Sequence, residues 1–149
     1  MSTRVVPWPD PPKMEVGSPC PVVRCLPGSL LVVYVCSNPE FPGWDRGADP
    51  DHPGFDIWSA VVRFDGVTWH HFGAPGDEAL RTHPLYDVGL GFYGFWEVLD
   101  SPRMPAGSAL HHWVVTFHDE TLEVVAASAF VVSRRDEGED TRAVVLKYA

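Results

Sequence analysis

Fifteen prolines and thirteen glycines are spread along this 149-residue chain and interrupt every stretch that could otherwise form a long helix. Proline removes a backbone donor and clashes inside a helix, and glycine weakens helix interiors. Residues 1–28 hold seven of the prolines. We therefore expect an extended N-terminal arm that either wraps the domain, anchored through Trp8, or stays mobile. Residues 29–149 are predicted to form a single β-rich domain without long helices.

Residues 110–133 are predicted to form a long β-hairpin, because two runs of β-branched and aromatic residues flank a short polar interruption. A turn at Asp119-Glu120 gives a register in which Phe117 faces Leu122. One face of this hairpin is apolar and suits the core. The other is polar near the turn and apolar at its root, which predicts a partly covered face with a pocket at its mouth. Its residues are His112, Val114, Thr116, His118, Thr121, Glu123, Val125 and Ala127.

Several other segments are typical of strands. They are Ser29–Cys36, buried on both faces; 57–64 and 67–72, joined as a hairpin by Asp65-Gly66; 92–99; and 143–148 as an edge strand. Helix is predicted only at 77–81, with Asp77 as N-cap, and at 84–88, ended by Gly89. The pattern predicts a mainly β fold: an antiparallel β-sandwich or a small closed β-barrel with one short helical insertion. An α+β fold is the alternative.

The net charge of −9 argues against a nucleic-acid or anionic-membrane partner, because both need clustered Lys and Arg. The sequence has no apolar run of about 18 residues, and prolines break up the N-terminus where a signal peptide would need an apolar core. These features predict a cytoplasmic protein with reduced thiols. The spacing of Cys20 and Cys25 is a weak zinc signal, since no second pair accompanies it.

The loop 38–56 contains four prolines, three glycines and five carboxylates. Converging carboxylates could bind calcium, although their spacing does not match an EF-hand. The other interpretation is a solvated loop. Its carboxylates are Glu40, Asp45, Asp49, Asp51 and Asp56.

Four side chains are predicted to carry acid–base chemistry: His118, Glu123, Glu97 and His83. His118 and Glu123 share one face of the hairpin. Glu97 lies on an aromatic strand, where a carboxylate either sits at the sheet margin or is buried with a partner such as histidine or arginine. His83 belongs to the helical insertion, which would either plug the open end of a barrel or cover one sheet. Ligand contacts are predicted from Tyr93, Trp96, Trp58, Trp69 and Tyr86, and neither a metal nor a cofactor is predicted.

Two functions remain open from the sequence. The first is a cytoplasmic small-molecule-binding β protein, which as an enzyme would need no cofactor and would act as a lyase, isomerase or cyclase by acid–base chemistry. The alternative is a non-catalytic acidic protein that binds another protein, as an inhibitor or immunity protein does. A homodimer is compatible with either function.

Overall fold

The computed structural model describes residues 2–15, 21–36, 58–136 and 141–148. Two antiparallel sheets make up about half of this part of the chain. Its strands are β1 (Arg4–Pro7), β2 (Val22–Leu26), β3 (Ser29–Cys36), β4 (Trp58–Asp65), β5 (Trp69–Gly73), β6 (Gly94–Leu99), β7 (His111–Thr116), β8 (Thr121–Ala126) and β9 (Ser128–Asp136). The front sheet has the order β1-β6-β7-β8-β5, and the back sheet has the order β2-β3-β4-β9.

The two sheets are not closed into a barrel, so the fold is sandwich-like, and of the two predicted β architectures the barrel is wrong. Alternate side chains of each sheet point inward and form one core. The back sheet contributes Tyr34 and Phe64, and the front sheet contributes Phe95, Trp113 and Leu122. The core between the sheets is filled by these side chains, so the site described below lies outside it.

Part of the outer face of each sheet is apolar as well and is covered. On the back sheet, Leu31, Val33 and Val61 pack against Val144 and Val145 of a C-terminal helix, α1 (Thr141–Tyr148). Two short 3₁₀ helices, Asp77–Thr82 and Tyr86–Val88, belong to the segment that packs on the front sheet. Burial on both faces explains the continuous apolar run of β3, as the sequence predicts.

The predicted edge strand at 143–148 is wrong, because these residues belong to α1. Thr141, Val144 and Val145 are buried and Tyr148 packs beside them, a spacing of three and four residues that puts one helical face on the sheet. Leu146 points outward and is exposed. The segment is short, and its valines favour a strand when its neighbours are unknown.

The predicted hairpin around Asp65-Gly66 is also wrong. β4 lies in the back sheet and β5 in the front sheet, so the chain crosses between the sheets at this point. The predicted second strand of the 110–133 hairpin crosses in the same place: it is divided at Ala127 into β8 and β9. Gly66 has a φ of +65°, and a Cβ there would lie 2.8 Å from the Ala127 Cβ. The Ala127 N–H donates to the carbonyls of Asp65 and Gly66.

The β7–β8 hairpin forms with a different register. Thr116 pairs with Thr121 and Val115 with Leu122, and the Phe117 N–H donates to the Glu120 carbonyl. The hydrogen bond encloses His118 and Asp119, so the turn lies one residue earlier than predicted and each pair is displaced by two residues. An even displacement keeps every side chain on its predicted face.

The N-terminal arm is part of both sheets and contains no helix in its described residues. β1 pairs with β6, and β2 pairs with β3, so both are edge strands, where proline is tolerated. The Trp8 N–H donates to the Phe95 carbonyl at 2.9 Å. Its ring packs against Phe64, Phe95 and Trp113. Trp8 therefore anchors the arm at the edge of the core.

We predict that Trp8→Ala lowers the free energy of unfolding by about 2–4 kcal/mol, because it removes a large, partly buried aromatic ring from the core. The measurement is urea denaturation followed by circular dichroism. Phe130→Ala is the control, since that ring is 42% exposed, and it should cost less than about 1 kcal/mol. Equal losses for the two variants would contradict the anchoring role of Trp8.

Candidate functional site

The outer face of the front sheet carries a buried polar cluster around Glu123. In the register of β7 and β8, Glu123 lies opposite Val114, and His112 lies opposite Val125. His112 and Glu123 are therefore diagonal neighbours on the same face, close enough for their side chains to meet. The same face carries Val5, Val98 and Val114, which pack against the 3₁₀ segment, so the cluster lies beside this cover.

The Glu123 carboxylate binds two imidazoles. Its Oε1 lies 3.0 Å from Nε2 of His112, and its Oε2 lies 3.2 Å from Nε2 of His83. The Arg103 Nε is 3.8 Å from Oε1. Burial by itself raises the pKa of Glu123, but the hydrogen bonds from His112 and His83 outweigh it and lower the pKa to about 2. The carboxylate is ionised at neutral pH and can only accept hydrogen bonds.

His83 reaches Glu123 from the end of the first 3₁₀ helix. Its Nδ1 accepts the Leu85 N–H at 3.0 Å, so this nitrogen carries no proton. The proton of a neutral His83 ring is therefore on Nε2, from which it is donated to the carboxylate. Through this pair, Glu123 also holds the 3₁₀ segment against the sheet.

His112 connects Glu123 to Ser101. Its Nε2 donates to the carboxylate, and its Nδ1 lies 2.7 Å from the Ser101 Oγ, so in the neutral ring Nδ1 accepts the hydroxyl proton. Asp100 has a φ of +54°, which turns the chain sharply at the end of β6 and precedes Ser101. The Ser101 Oγ also accepts the Arg103 N–H at 3.2 Å. The result is a continuous Ser101–His112–Glu123 chain of hydrogen bonds.

This chain opens on a cleft of about 350 Å³, which we call the Glu123 cleft. Its lining residues are His83, Pro84, Leu85, Ser101, Pro102, Arg103, His112 and Glu123. A second cleft of about 290 Å³ shares His83, Pro84, Arg103 and Glu123 with it and adds Trp69 and His71. The Arg103 guanidinium lies 3.9 Å from the centre of the Trp69 ring. This cation–π contact fixes a cation at the junction of the two clefts.

The structure brings together two of the four predicted acid–base residues, His83 and Glu123. Glu97 is elsewhere: its carboxylate lies 3.1 Å from Nδ1 of the exposed His111. The Glu97 side chain is 27% exposed and has a histidine partner, but that partner is neither His83 nor His118. His118 is near the hairpin loop, where its Nδ1 lies 2.7 Å from the Asp77 carboxylate.

The predicted ligand-contacting aromatics are dispersed. Trp69 lines the second cleft. Trp58 is buried in the core between the sheets, where no ligand reaches it. Tyr86 belongs to the 3₁₀ segment. Trp96 packs under this segment, and its Nε1 donates to the Thr116 Oγ1. Tyr93 donates its hydroxyl proton to the Asp77 carboxylate.

Asp77 is not the N-cap of its helix, because Gly76 holds that position and makes no side-chain cap. Its carboxylate binds Tyr93 and His118 instead, and the Tyr93 hydrogen bond is the largest cause that lowers the pKa of Asp77 to about 2. The hydrogen bond to Asp77 raises the pKa of His118. This pair ties the hairpin loop to the 3₁₀ segment.

Three polar residues of the Glu123 cleft are absent from the predicted set: Ser101, Arg103 and His112. Strand alternation places His112 on the same face as Glu123, so that signal is present in the sequence. Ser101 and Arg103 lie in a Pro/Gly-containing loop, and no sequence pattern relates this loop to β7 and β8.

In the part of the chain that the structure describes, no group of three or more His, Cys, Asp or Glu side chains is placed to hold a metal ion. In the Glu123 cleft the Nε2 atoms of His83 and His112 both donate protons to the Glu123 carboxylate. Neither atom therefore has a lone pair directed at a position where a metal ion could bind. The absence of a metal and a cofactor remains a prediction. Cys20 and the acidic loop 38–56 lie outside the described residues. Nor does any described helix have the length and apolarity needed to cross a membrane.

Comparison of the chain with protein-family models, curated proteins and solved structures found no match.

We predict that Glu123→Gln destabilises the protein at pH 7 by about 1–3 kcal/mol, because the amide leaves one buried imidazole N–H without an acceptor. The pKa of Glu123 falls from an ordinary 4.5 to about 2 on folding. Its stabilising contribution is therefore complete above pH 4.5 and is lost as the pH falls toward 2. Urea denaturation between pH 7 and 2.5 should show that the free energy of unfolding falls less steeply on acidification in the variant than in the wild type. Glu97→Gln is the control, and an unchanged slope for Glu123→Gln would contradict the assignment.

We predict that Asp77→Asn returns the pKa of His118 toward its ordinary value of 6.5, because the variant removes the carboxylate that stabilises the imidazolium. In the wild type, the contribution of this pair is complete between pH 3.8 and 6.5. It is lost as the pH rises through the raised pKa of His118, and also as the pH falls toward 2 and Asp77 takes up a proton. Proton NMR titration of the His118 ring measures the change, and His70 is the internal reference. A His118 titration that is identical in wild type and variant would show that the pair does not form.

Proposed function

We propose that this protein is a cofactor-free enzyme that binds a small molecule in the Glu123 cleft and acts on it by acid–base chemistry. The observation that carries the proposal is the hydrogen-bonded chain Ser101–His112–Glu123, which is buried at its base and opens on the cleft at Ser101. Buried groups of this kind are costly unless each is paired, and here each is oriented by the next.

The arrangement suits a general base. Glu123 fixes the His112 ring with its proton on Nε2, so the lone pair of Nδ1 points at Ser101. When Nδ1 takes up a proton, the adjacent carboxylate stabilises the imidazolium that forms. His83 donates a second hydrogen bond to Glu123 and keeps the carboxylate in position. Proton uptake and return can therefore occur at one nitrogen without a metal.

The surroundings also suit catalysis. His112 is 2% exposed, so bulk water scarcely reaches the ring, and electrostatic interactions in such a setting are stronger than in solvent. The volume of about 350 Å³ is in the range of small-molecule sites. Pro84, Leu85 and Pro102 give the cleft apolar walls beside its few polar groups.

The alternative, an acidic protein that binds another protein, has less support. Among the described carboxylates, Asp65 pairs with Arg63, Asp136 with Lys147, and Glu123 with two imidazoles. Many carboxylates in this part of the chain thus pair with basic groups of the same protein. The alternative and the homodimer both remain predictions.

A cytoplasmic location belongs to the same proposal. Cys25 and Cys36 are free thiols, as a reducing compartment allows. A small molecule is the partner that the cleft favours.

The proposal predicts where ligands bind. Small carboxylic acids, esters, hydroxy acids and sugar phosphates are added singly to ¹⁵N-labelled protein, and the indole N–H signals are recorded. Compounds that bind in the Glu123 cleft should shift the signal of Trp69, which contacts Arg103, and leave that of the core residue Trp58 unchanged. A panel in which no compound moves Trp69 would count against the proposal.

The proposal also predicts which histidine matters. Compounds that bind are incubated with the protein, and product formation is followed by NMR. His112→Gln should lower turnover by about 10²–10⁴-fold, because it removes the base. His111→Gln is the matched control, since His111 is adjacent in sequence but exposed and away from the cleft. A folded His112→Gln variant with full turnover would refute the acid–base role.

A further inference from the structure

We infer that Ser101 is the nucleophile of an acyl transfer in the Glu123 cleft, and that the substrates are small esters carrying a carboxylate group. The inference rests on the proposed function and adds to it a reaction class, a nucleophile and a substrate class. A serine hydroxyl is a weak nucleophile unless a base removes its proton as it attacks. The structure supplies that base at hydrogen-bond distance.

The geometry matches that of a nucleophile–base–carboxylate triad. The Ser101 Oγ lies 2.7 Å from Nδ1 of His112, and Nε2 of the same ring lies 3.0 Å from the Glu123 carboxylate. Compared with the Ser-His-Asp arrangement of serine proteases, the two ring nitrogens exchange roles. The chemistry is unaffected, because either imidazole nitrogen accepts a proton when the other is held by a carboxylate.

The reaction proceeds in two halves. The Ser101 Oγ forms a bond to the ester carbonyl carbon while its proton moves to Nδ1 of His112. The bond to the leaving alcohol then breaks, and the alcohol oxygen takes the proton from Nδ1. Water attacks the acyl-serine, again giving a proton to Nδ1, and that proton returns to Oγ as the acid leaves. The sum is ester plus water to acid plus alcohol, with no oxidant, reductant or other reactant.

Charge that develops on the carbonyl oxygen needs hydrogen-bond donors nearby. The Arg103 N–H already lies 3.2 Å from the Ser101 Oγ. An oxyanion attached to the carbon bonded to Oγ forms close to the same N–H. This donor belongs to the backbone, so it persists when the Arg103 side chain is replaced.

The Arg103 side chain determines the substrate class. Its guanidinium is held over the Trp69 ring and is about half exposed, and its terminal nitrogens make no hydrogen bond to a described residue. Glu123 lies 3.8 Å from Nε, but two imidazoles already bind that carboxylate. A guanidinium with free donors at the mouth of a cleft fits the planar carboxylate of a ligand.

The nucleophile is tested with an alkyl fluorophosphonate. Ser101 attack forms an oxygen–phosphorus bond and releases fluoride, and intact-protein mass spectrometry and peptide mapping locate the adduct. We expect one adduct, on Ser101, and none in Ser101→Ala. Ser108→Ala is the matched control, because the Ser108 hydroxyl also accepts a backbone N–H two residues ahead but lies outside the cleft. Labelling of another residue, or of Ser101→Ala to the same extent, would overturn the inference.

The substrate class is tested with two nitrophenyl esters of equal acyl length, the mono-4-nitrophenyl ester of glutaric acid and 4-nitrophenyl valerate. We expect the wild type to hydrolyse the anionic ester at least about tenfold faster, as a charge-assisted contact to Arg103 implies. In Arg103→Gln the ratio of the two rates should fall to near one. A wild type without preference, or an unchanged ratio in Arg103→Gln, would overturn the substrate assignment.

The failure of this inference can be distinguished from failure of the proposed function. If Ser101→Ala retains turnover while His112→Gln loses it, Ser101 is not the nucleophile, but the acid–base proposal stands. If both variants fold and retain full turnover, both ideas fail. Ser101→Cys keeps a nucleophile in place, and its specific alkylation by iodoacetamide, prevented by a bound substrate, would support the position of residue 101 in the site.

Discussion

A carboxylate placed on the covered face of a sheet must find donors, and the environment of Glu123 depends on that requirement. An unpaired charge in such a place costs several kcal/mol. Glu123 meets the requirement with donors from two separate segments: His112 from β7 and His83 from the 3₁₀ cover. Ser101 then joins through His112. One buried charge thus fixes the cover, the strand and the loop relative to one another.

The face on which each side chain of the central strands lies could be predicted from the sequence. Successive side chains alternate between the two faces, so only an odd shift in register would move them to the other face. The register of the 110–133 hairpin is displaced by two residues, yet His112 and Glu123 keep their predicted face. The crossings at Gly66 and Ala127 could not be predicted in this way. Asp65-Gly66 is a residue pair typical of hairpin turns. Only the pairing of β4 with β9 shows that β4 and β5 lie in different sheets. The conversion of 143–148 to helix likewise depends on an apolar sheet face elsewhere in the fold.

The candidate site was predicted in part. Glu123 and His83 were selected as polar residues beside apolar ones, a local property that sequence carries. His118 and Glu97 satisfied the same criterion, but each found a partner near its own strand or loop, Asp77 and His111. Ser101 carries no local signal. Its role depends on its position after the turn at Asp100, and that position follows from the pairing of β6 with β7.

The crossing at Gly66 and Ala127 also bears on how the protein reaches its native state. β4 and β5 form one continuous ribbon with β9 and β8, and this ribbon passes from the back sheet to the front sheet. Its two halves, 58–73 and 121–136, are far apart in the chain, so closing the ribbon carries a substantial entropy cost before either sheet is complete. Once it is closed, the ribbon sets the register in both sheets together. We therefore expect the two layers of the sandwich to fold together as one cooperative unit.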